Sequence, residues 1–174
     1  MNFEEANNIP GMIELVEREM LFNQAREISL IETDCVVEFG SFFGRSTNCI
    51  AQGLVANDNY FDNCKIYTYD SFQCDEQGWF APHVLSAAKT GNVEKLIKHE
   101  DKKIDFERVF VHYLRPYIDS KTINYIKSEL NVSVPPNKTI AFMHIDAPKY
   151  YEELKVILNK FFPKTKIGSV VIFQ

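Results

Sequence analysis

Three acidic residues, Glu38, Asp70 and Asp146, each follow an apolar run that is typical of a buried strand. Carboxylate oxygens accept hydrogen bonds and attract cations, so acids in such positions suit a polar ligand. Ligands of open parallel sheets bind outside the carboxyl ends of the strands. If the three runs are parallel strands of one sheet, their carboxylates converge on one crevice. The sequence therefore predicts a ligand site that three different strands build together.

The first acid opens a glycine-containing turn within the stretch CVVEFGSFFGRST, residues 35–47. Gly40 and Gly44 permit a tight turn and a close ligand approach, and the helix predicted to begin at Arg45 offers unpaired N–H groups. The spacing is E-x-G-x-x-x-G and not the G-x-G-x-x-G of dinucleotide-binding proteins, which disfavours a nicotinamide-dependent oxidoreductase. An acid that closes the first strand suits a ligand with a cationic end, such as the amino group of S-adenosylmethionine (SAM). The alternative is an ordinary strand-to-helix turn.

Asp70 closes the second predicted strand, where its two oxygens can accept the two hydroxyls of an adenosine ribose. The alternative is a solvated loop aspartate or a cap for the next helix. The other candidate cofactor-binding residues lie in the same turns or at the end of the third strand: Ser41, Ser46, Thr47, Ser71 and Glu129.

Strand patterns alternate with helical patterns along the chain, which favours an α/β fold with a parallel sheet. We predict a three-layer sandwich, Rossmann-like, with strand order 3-2-1-4-5. After the first strand, the predicted strands cover Lys65–Tyr69, Thr122–Ile126, Thr139–Ile145 and Ser169–Phe173. The predicted helices cover residues 10–29, Arg45–Ala56, Val93–His99, Phe106–Ile118 and Tyr150–Phe162.

Residues 71–121 form an insert that is far longer than a simple crossover requires. Trp79 and Phe80 lie there among polar residues, which is typical of a lid or of the wall of an acceptor site. The alternative is that both rings are buried beneath the loop. His112 falls outside the apolar stripe of its helix, so we expect it to be solvated.

The composition is that of a single globular domain covering residues 1–174, with 45% hydrophobic and 25% charged residues. A net charge of −5 disfavours binding to nucleic acid or to an anionic membrane. The four cysteines are widely spaced, which is typical of reduced thiols in a cytoplasmic protein. No run of apolar residues is long enough to span a membrane. The sequence leaves the oligomeric state open, including a homo-oligomer.

Four strings carry a family resemblance that extends from Ile9 to Gln174: VVEFGSFFGRST, IYTYDSF, IAFMHIDAPKYYEELKVIL and KIGSVVIFQ. Together they resemble the macrocin O-methyltransferase (TylF-like) group of class I SAM-dependent methyltransferases. The resemblance implies the SAM-methyltransferase fold and methyl transfer to a hydroxyl of a small molecule, a sugar among the candidates, often with Mg²⁺. It places Glu38, Gly40 and Gly44 in the SAM loop and Asp70 at the ribose. Asp146 matches the acid that acts as metal ligand and general base.

The chain departs from that group in places that affect the metal. Pro148 stands where the group has a second aspartate, and Gln174 stands where it has paired metal-binding aspartates. The resemblance also implies C-terminal antiparallel strands that do not occur in these residues, so we expect the sequence to be C-terminally truncated. These departures keep open a second hypothesis, a non-catalytic SAM- or nucleotide-binding domain of a larger assembly.

Overall fold

The computed structural model describes residues 8–147 and 150–174. Its strands are, in chain order, β1 (Asp34–Phe39), β2 (Ile66–Asp70), β3 (Gln73–Asp75), β4 (Lys98–Glu100), β5 (Lys103–Asp105), β6 (Ile123–Lys127), β7 (Thr139–Ile145) and β8 (Thr165–Phe173). Its α-helices are α1 (Leu15–Glu27), α2 (Arg45–Val55), α3 (Ala81–Thr90), α4 (Glu107–Asp119) and α5 (Tyr151–Val156).

The central sheet has five strands in the order β6-β2-β1-β7-β8, and every neighbouring pair is parallel. This arrangement confirms the predicted order 3-2-1-4-5. All six residues of β1 are buried because this strand lies in the middle of the sheet with both faces covered. The turn that follows β1 therefore starts from the most constrained part of the fold.

Side chains alternate between the two faces of the sheet, as strand geometry requires. Val36 and Phe142 pack on the face that carries α1 to α4. Val37, Phe39 and Met143 pack on the opposite face, against the helical segment after β7. The fold is therefore a three-layer α/β sandwich.

The insert between β2 and β6 differs from its prediction. Lys98 and His99, expected to end a helix from Val93 to His99, belong with Glu100 to β4, which pairs with β5 in a small antiparallel sheet that also contains β3. Asp101 and Lys102 have φ values of 50° and 61°, so they form a tight turn that a helix could not contain. The segment around Trp79 and Phe80, predicted as a loop above the ligand site, lies between β3 and the start of α3. A proline stands in the first turn of α3.

The segment after β7 was predicted as one helix from Tyr150 to Phe162. The structure has a short α5, then a π-helical turn at Ile157–Phe161 and a 3-10 turn at Phe162–Lys164. Because the wider turn changes which side chains face the sheet, Ile157 and Phe161 are buried whereas Leu158 is 39% exposed. As one continuous helix, this segment was predicted to turn Leu158 toward the sheet together with Ile157 and Phe161, and for Leu158 that prediction was wrong. His112 is exposed, as predicted.

The cysteines are free thiols, in agreement with the sequence prediction. Burial raises the pKa of Cys35 and Cys49 to about 12 and that of Cys64 to about 11. These thiols are therefore uncharged core residues. Within residues 8–147 and 150–174, no helix combines the length and apolarity that crossing a membrane requires.

Candidate ligand-binding site

A cavity of about 610 Å³ opens at the carboxyl ends of the central strands. Gly40 after β1, Asp70 at the end of β2, Ser128 after β6 and Asp146 after β7 all line it. This volume lies in the usual range for small-molecule sites. The structure thus brings together residues from four strands, at the edge that the sequence indicated.

The predicted site residues divide into two groups. Those that line the cavity are Gly40, Ser41, Ser46, Asp70, Ser71, Glu129 and Asp146. Glu38, Gly44 and Thr47 lie behind the cavity wall, where Gly44 packs against Leu114 and Phe110. The second group therefore packs against the glycine turn on the side that faces the protein interior, away from the cavity.

Asp70 connects the turn after β1 with the turn after β2. Its Oδ2 accepts the Phe42 N–H at 2.9 Å, and its Oδ1 accepts the Phe72 N–H at 2.7 Å. Removal from water raises the pKa of this carboxyl, and the bonds from the backbone N–H groups oppose that shift. The backbone N–H of Ser41 also acts on this carboxylate. Since a carboxylate has about four lone-pair sites, acceptor capacity remains for a ligand.

Ser41 presents a polar atom that the protein leaves unsatisfied. The residue is 2% exposed, and its Oγ has no hydrogen-bond partner in the part of the chain that the structure describes. A buried hydroxyl without a partner is costly, because burial removes the bonds it would make to water. Because Ser41 lines the cavity, this Oγ is available to a polar group in the cavity.

Glu38 is fully buried in the sheet and takes its partners from three elements. Its Oε2 accepts hydrogen bonds from Thr47 Oγ1 at 2.5 Å and Thr68 Oγ1 at 2.9 Å, and its Oε1 lies 3.3 Å from His144 Nδ1. The sequence suggested that this carboxylate would face the ligand's amino group. In the structure it faces protein groups instead.

His144 belongs to a polar chain that the sequence analysis did not identify. Its Nε2 lies 3.1 Å from Gln174 Oε1, and Gln174 Nε2 donates to Glu17 on α1 at 2.7 Å. Both ring nitrogens therefore face oxygen acceptors, which assigns a doubly protonated imidazolium. Burial alone would lower the pKa of His144, but the hydrogen bond and charge of Glu38 outweigh it and raise that pKa. The sequence did contain one signal for this chain of polar residues, because His144 stands inside the apolar run of β7.

Asp146 follows β7 directly and is exposed at the cavity wall. Its backbone N–H donates to Phe39 O at 2.9 Å, which fixes it beside the turn after β1. Although exposed, the side chain sits in a concave, partly desolvated site, and this raises the pKa of Asp146 to about 6. The charge of His144 opposes that rise and the charge of Glu38 reinforces it. The carboxylate can therefore exchange a proton near neutral pH.

Arg45 ties the N-terminal segment to the cavity, a role that its position in the sequence did not indicate. Its Nε donates to Ile9 O at 2.5 Å, and its Nη1 donates to Gly11 O at 2.9 Å and to Ile13 O at 3.3 Å. Gly11 and Ile13 line the cavity as a result. The start of α2 and the chain before α1 thus form one wall.

Aromatic rings form another part of the wall. Trp79 is 62% exposed, and its ring centroid lies 5.3 Å from that of Phe80. The Phe80 centroid in turn lies 5.3 Å from that of Phe42. All three residues line the cavity. Of the two alternatives for Trp79, the structure therefore favours the exposed wall over burial in the core.

The backbone at Gly40 limits what can replace this residue. Gly40 has φ +85°, and a Cβ there would lie 2.9 Å from the backbone oxygen of Asp146. Gly168 has a similar φ of +88° but no heavy atom within 4 Å of such a Cβ. Alanine substitutions at these two glycines therefore separate the cost of backbone strain, present at both, from the cost of steric overlap, present at Gly40.

We expect Gly168→Ala to lower the free energy of unfolding by about 1 kcal/mol, the cost of a left-handed alanine. Gly40→Ala should cost about 1–3 kcal/mol more, because its Cβ overlaps a backbone atom that cannot rotate away. Urea unfolding of both variants measures the difference. Equal losses would show that the turn relaxes freely around position 40.

Comparison with known proteins gives the chain a family. Residues 37–174 match the family model described as "Methyltransferase domain". The chain belongs to this family. No curated protein sequence matches the chain.

Solved structures show the same methyltransferase fold at low identity. The chain is similar to the O-methyltransferase NovP, with TM-score 0.64, 18% identity, and coverage of 94% of this chain and 66% of NovP. It is also similar to CalS11, a TDP-rhamnose 3'-O-methyltransferase of calicheamicin biosynthesis, with TM-score 0.54, 19% identity, and coverage of 91% and 60%. A third is the SAH-bound methyltransferase PaMTH1 of Podospora anserina, with TM-score 0.52, 13% identity, and coverage of 94% and 53%. The chain thus spans less than two thirds of the length of each of these proteins.

The magnesium site implied by the resemblance does not fit the described residues. Among them, no group of three or more His, Cys, Asp or Glu side chains could hold a metal ion. The amide of Gln174 already bonds His144 and Glu17, and Pro148 lies outside the described residues. A single carboxylate fills only one or two of about six positions in near-octahedral Mg²⁺ coordination, so Asp146 alone is a weak ligand set.

Proposed function

We propose that the protein is a SAM-dependent O-methyltransferase that acts on a hydroxyl of a small molecule. Asp70 is the observation that carries this proposal. Its carboxylate is oriented by the backbone N–H groups of Phe42 and Phe72, with that of Ser41 also acting on it, and it borders the cavity with acceptor capacity left for a ligand. Two fixed acceptors on one carboxylate match the vicinal hydroxyls of a ribose.

The rest of the cavity supports a SAM molecule around that contact. The unsatisfied Ser41 hydroxyl and the start of α2 at Ser46 suit the polar methionine end. Ser71 and Glu129, at the ends of β2 and β6, suit the adenosine end. Glu38, Gly44 and Thr47 act indirectly in this arrangement, because they shape the turn from behind.

Methyl transfer is an in-line displacement at the methyl carbon. The acceptor oxygen forms a bond to that carbon, and the carbon–sulfur bond breaks with its electrons left on sulfur, giving S-adenosylhomocysteine (SAH). Asp146 takes the hydroxyl proton as general base, and its pKa of about 6 suits that task near neutral pH. The cavity walls supply the proximity and orientation on which such a step depends. The mechanism has no metal step.

A sugar hydroxyl is our candidate acceptor, and the TylF-like group our assignment within the family. The similarity to CalS11, a TDP-rhamnose 3'-O-methyltransferase, supports the sugar acceptor. The TylF-like assignment is supported by the four sequence strings that resemble that group. Transfer from labelled SAM to a panel of sugars separates this enzyme from a non-catalytic SAM-binding domain. Detectable labelling of any sugar would exclude the non-catalytic alternative.

We expect SAM and SAH to stabilise the protein and NAD to leave it unchanged. At about 100 times Kd a ligand contributes roughly 2.7 kcal/mol, which is a Tm increase of about 5 to 10 °C for a domain of this size. A thermal shift assay with the three ligands measures it. Equal shifts for NAD and SAM, or none with SAM on folded protein, would contradict the proposal.

A further inference from the structure

Two phenylalanines on either side of Asp70 have a backbone conformation that their side chains disfavour. Phe42, in the turn after β1, has φ 49°, and Phe72, in the turn after β2, has φ 53°. A bulky residue in the left-handed region costs free energy, because its Cβ approaches the following carbonyl oxygen. Such conformations persist only where the surrounding structure enforces them, and they are concentrated at functional sites.

Asp70 and one aromatic ring hold both phenylalanines in place. The N–H groups of Phe42 and Phe72 each donate to one oxygen of the Asp70 carboxylate, at 2.9 Å and 2.7 Å. The Phe42 ring stacks on that of Phe43 at a centroid distance of 4.1 Å and meets that of Phe106 edge-on at 5.5 Å. The buried Phe72 ring lies edge-on to the same Phe106 ring at 6.3 Å. Both strained turns are therefore fixed by one shared carboxylate and one shared ring.

The turn after β1 has the geometry of a backbone anion site, and Asp70 fills it. Left-handed residues alternate along the turn, with φ values of 85° at Gly40, 49° at Phe42 and 95° at Gly44. Turns of this kind can direct successive N–H groups into one concavity that binds an anion, called a nest. The N–H groups of Ser41 and Phe42 both act on the Asp70 carboxylate, so here the anion belongs to the protein. The turn therefore has its anion before any ligand binds.

We propose that Phe42 is a positioning residue, whose left-handed backbone, held by Asp70, keeps the turn after β1 in its cofactor-binding shape before the cofactor arrives. This role rests on the proposed function and adds a residue to it. The left-handed residue lets the Gly44 N–H reach the Ser41 carbonyl oxygen at 2.7 Å, which closes the turn. Ser41 is thereby fixed in the cavity wall, where its buried Oγ has no partner among the described residues. A turn that is already ordered removes part of the cost of binding.

Hydrogen exchange tests the preformed turn without any substitution. In the ligand-free protein we expect the amides of Phe42 and Phe72 to exchange at least about a thousandfold more slowly than free amides, because both are bonded to Asp70. Exchange at the rate of free amides, with protection only after SAH is added, would show that the ligand orders the turn and would overturn the proposal.

Paired substitutions at position 42 isolate the backbone conformation. Phe42→Ala and Phe42→Gly both remove the ring, but only glycine adopts a left-handed φ without strain. By calorimetry, Phe42→Gly should therefore bind SAH about fivefold more tightly than Phe42→Ala. A merely structural role would change the Tm within the pair but not the Kd. Equal affinities, or tighter binding by Phe42→Ala, would rule out the positioning role.

Lys121 supplies the matched control for that pair. It is left-handed too, with φ 62°, but it precedes β6 and so lies at the opposite end of the sheet from the cavity. Lys121→Ala and Lys121→Gly should bind SAH equally. A difference there as large as that at position 42 would assign the effect to glycine itself and end the special role of Phe42.

A small anion tests the nest without SAH. In Asp70→Ala the N–H groups of Phe42 and Phe72 lose their acceptor, so formate should bind there and raise the Tm of the variant by about 2 to 4 °C more than chloride at equal ionic strength. In the unmodified protein, whose nest holds Asp70, formate and chloride should act alike. The lack of a formate effect on the variant would contradict the assignment of Asp70 as the anion of the nest. Failure of the unmodified protein to bind SAH would instead contradict the proposed function, since the exchange and formate results concern the turn alone.

Discussion

Asp146→Asn is expected to lower kcat by about two orders of magnitude or more while the Kd for SAM changes little. The substitution keeps the shape of the side chain but removes the group that would accept the hydroxyl proton, and general bases contribute about 10²–10⁴ in rate. No bond from Asp146 to SAM is part of the proposed arrangement, so its loss acts on the transition state. Single-turnover methyl transfer together with SAM calorimetry measures both quantities.

The pH dependence of the unmodified enzyme gives an independent check. A base with a pKa of about 6 is protonated below that value, so kcat should rise with pH up to about 6 and then level off. A purely structural role for Asp146 predicts a lower Tm in the Asn variant instead. The structure disfavours that role, because Tyr150 and Glu153 cap α5. Since the pKa is raised in the folded state, neutralising Asp146 should leave stability at pH 7 unchanged or higher. Unimpaired turnover in a SAM-binding Asn variant would end the catalytic assignment.

Asp70→Ala is expected to weaken SAH binding roughly ten- to a hundredfold, which corresponds to about 1.5–3 kcal/mol for hydrogen bonds to a charged group. Calorimetry with SAH measures the loss. The carboxylate also holds the N–H groups of Phe42 and Phe72, so the substitution loosens both turns that border the cavity. A Tm measurement on the same variant reports that second effect.

An SAH analogue without the ribose 2′-hydroxyl separates the two contributions. If Asp70 binds the ribose, the variant should lose less affinity for the analogue than for SAH, because one of the bonds is already missing. If Asp70 only stabilises the two turns, the substitution should weaken the binding of SAH and of the analogue by the same factor. Asp70→Asn is not a neutral control, since its amide NH₂ would face one of the two backbone N–H donors.

The sequence predicted the features that depend on periodicity and chain order. The strand order was correct because apolar runs separated by helical patterns permit few topologies. The bounds of β7 were also correct. The convergence of Asp70 and Asp146 followed from the same geometry, because parallel strands end at one edge. The seven cavity-lining candidates remain proposals as ligand contacts.

Other features depend on tertiary packing that no local pattern encodes. Glu38 lies on the sheet face that α2 covers, and only the register of β1 with β2 and β7 places Thr68 and His144 beside it. The Arg45 contacts join residues more than thirty positions apart, so they leave no local signal. In the insert, the helix predicted from Val93 to His99 runs into a hairpin, because left-handed residues at Asp101 and Lys102 turn the chain there.

The buried carboxylate of Glu38 has a consequence for how the domain folds. An intermediate with only β1, α2 and β2 would bury this charge with the two threonine bonds but without the imidazolium of His144, which lies 106 positions along the chain. Breaking a buried ion pair by removing one partner costs about 3–5 kcal/mol, so such an intermediate is poorly populated. The sheet should therefore form in one cooperative transition, in which fluorescence and circular dichroism report the same midpoint.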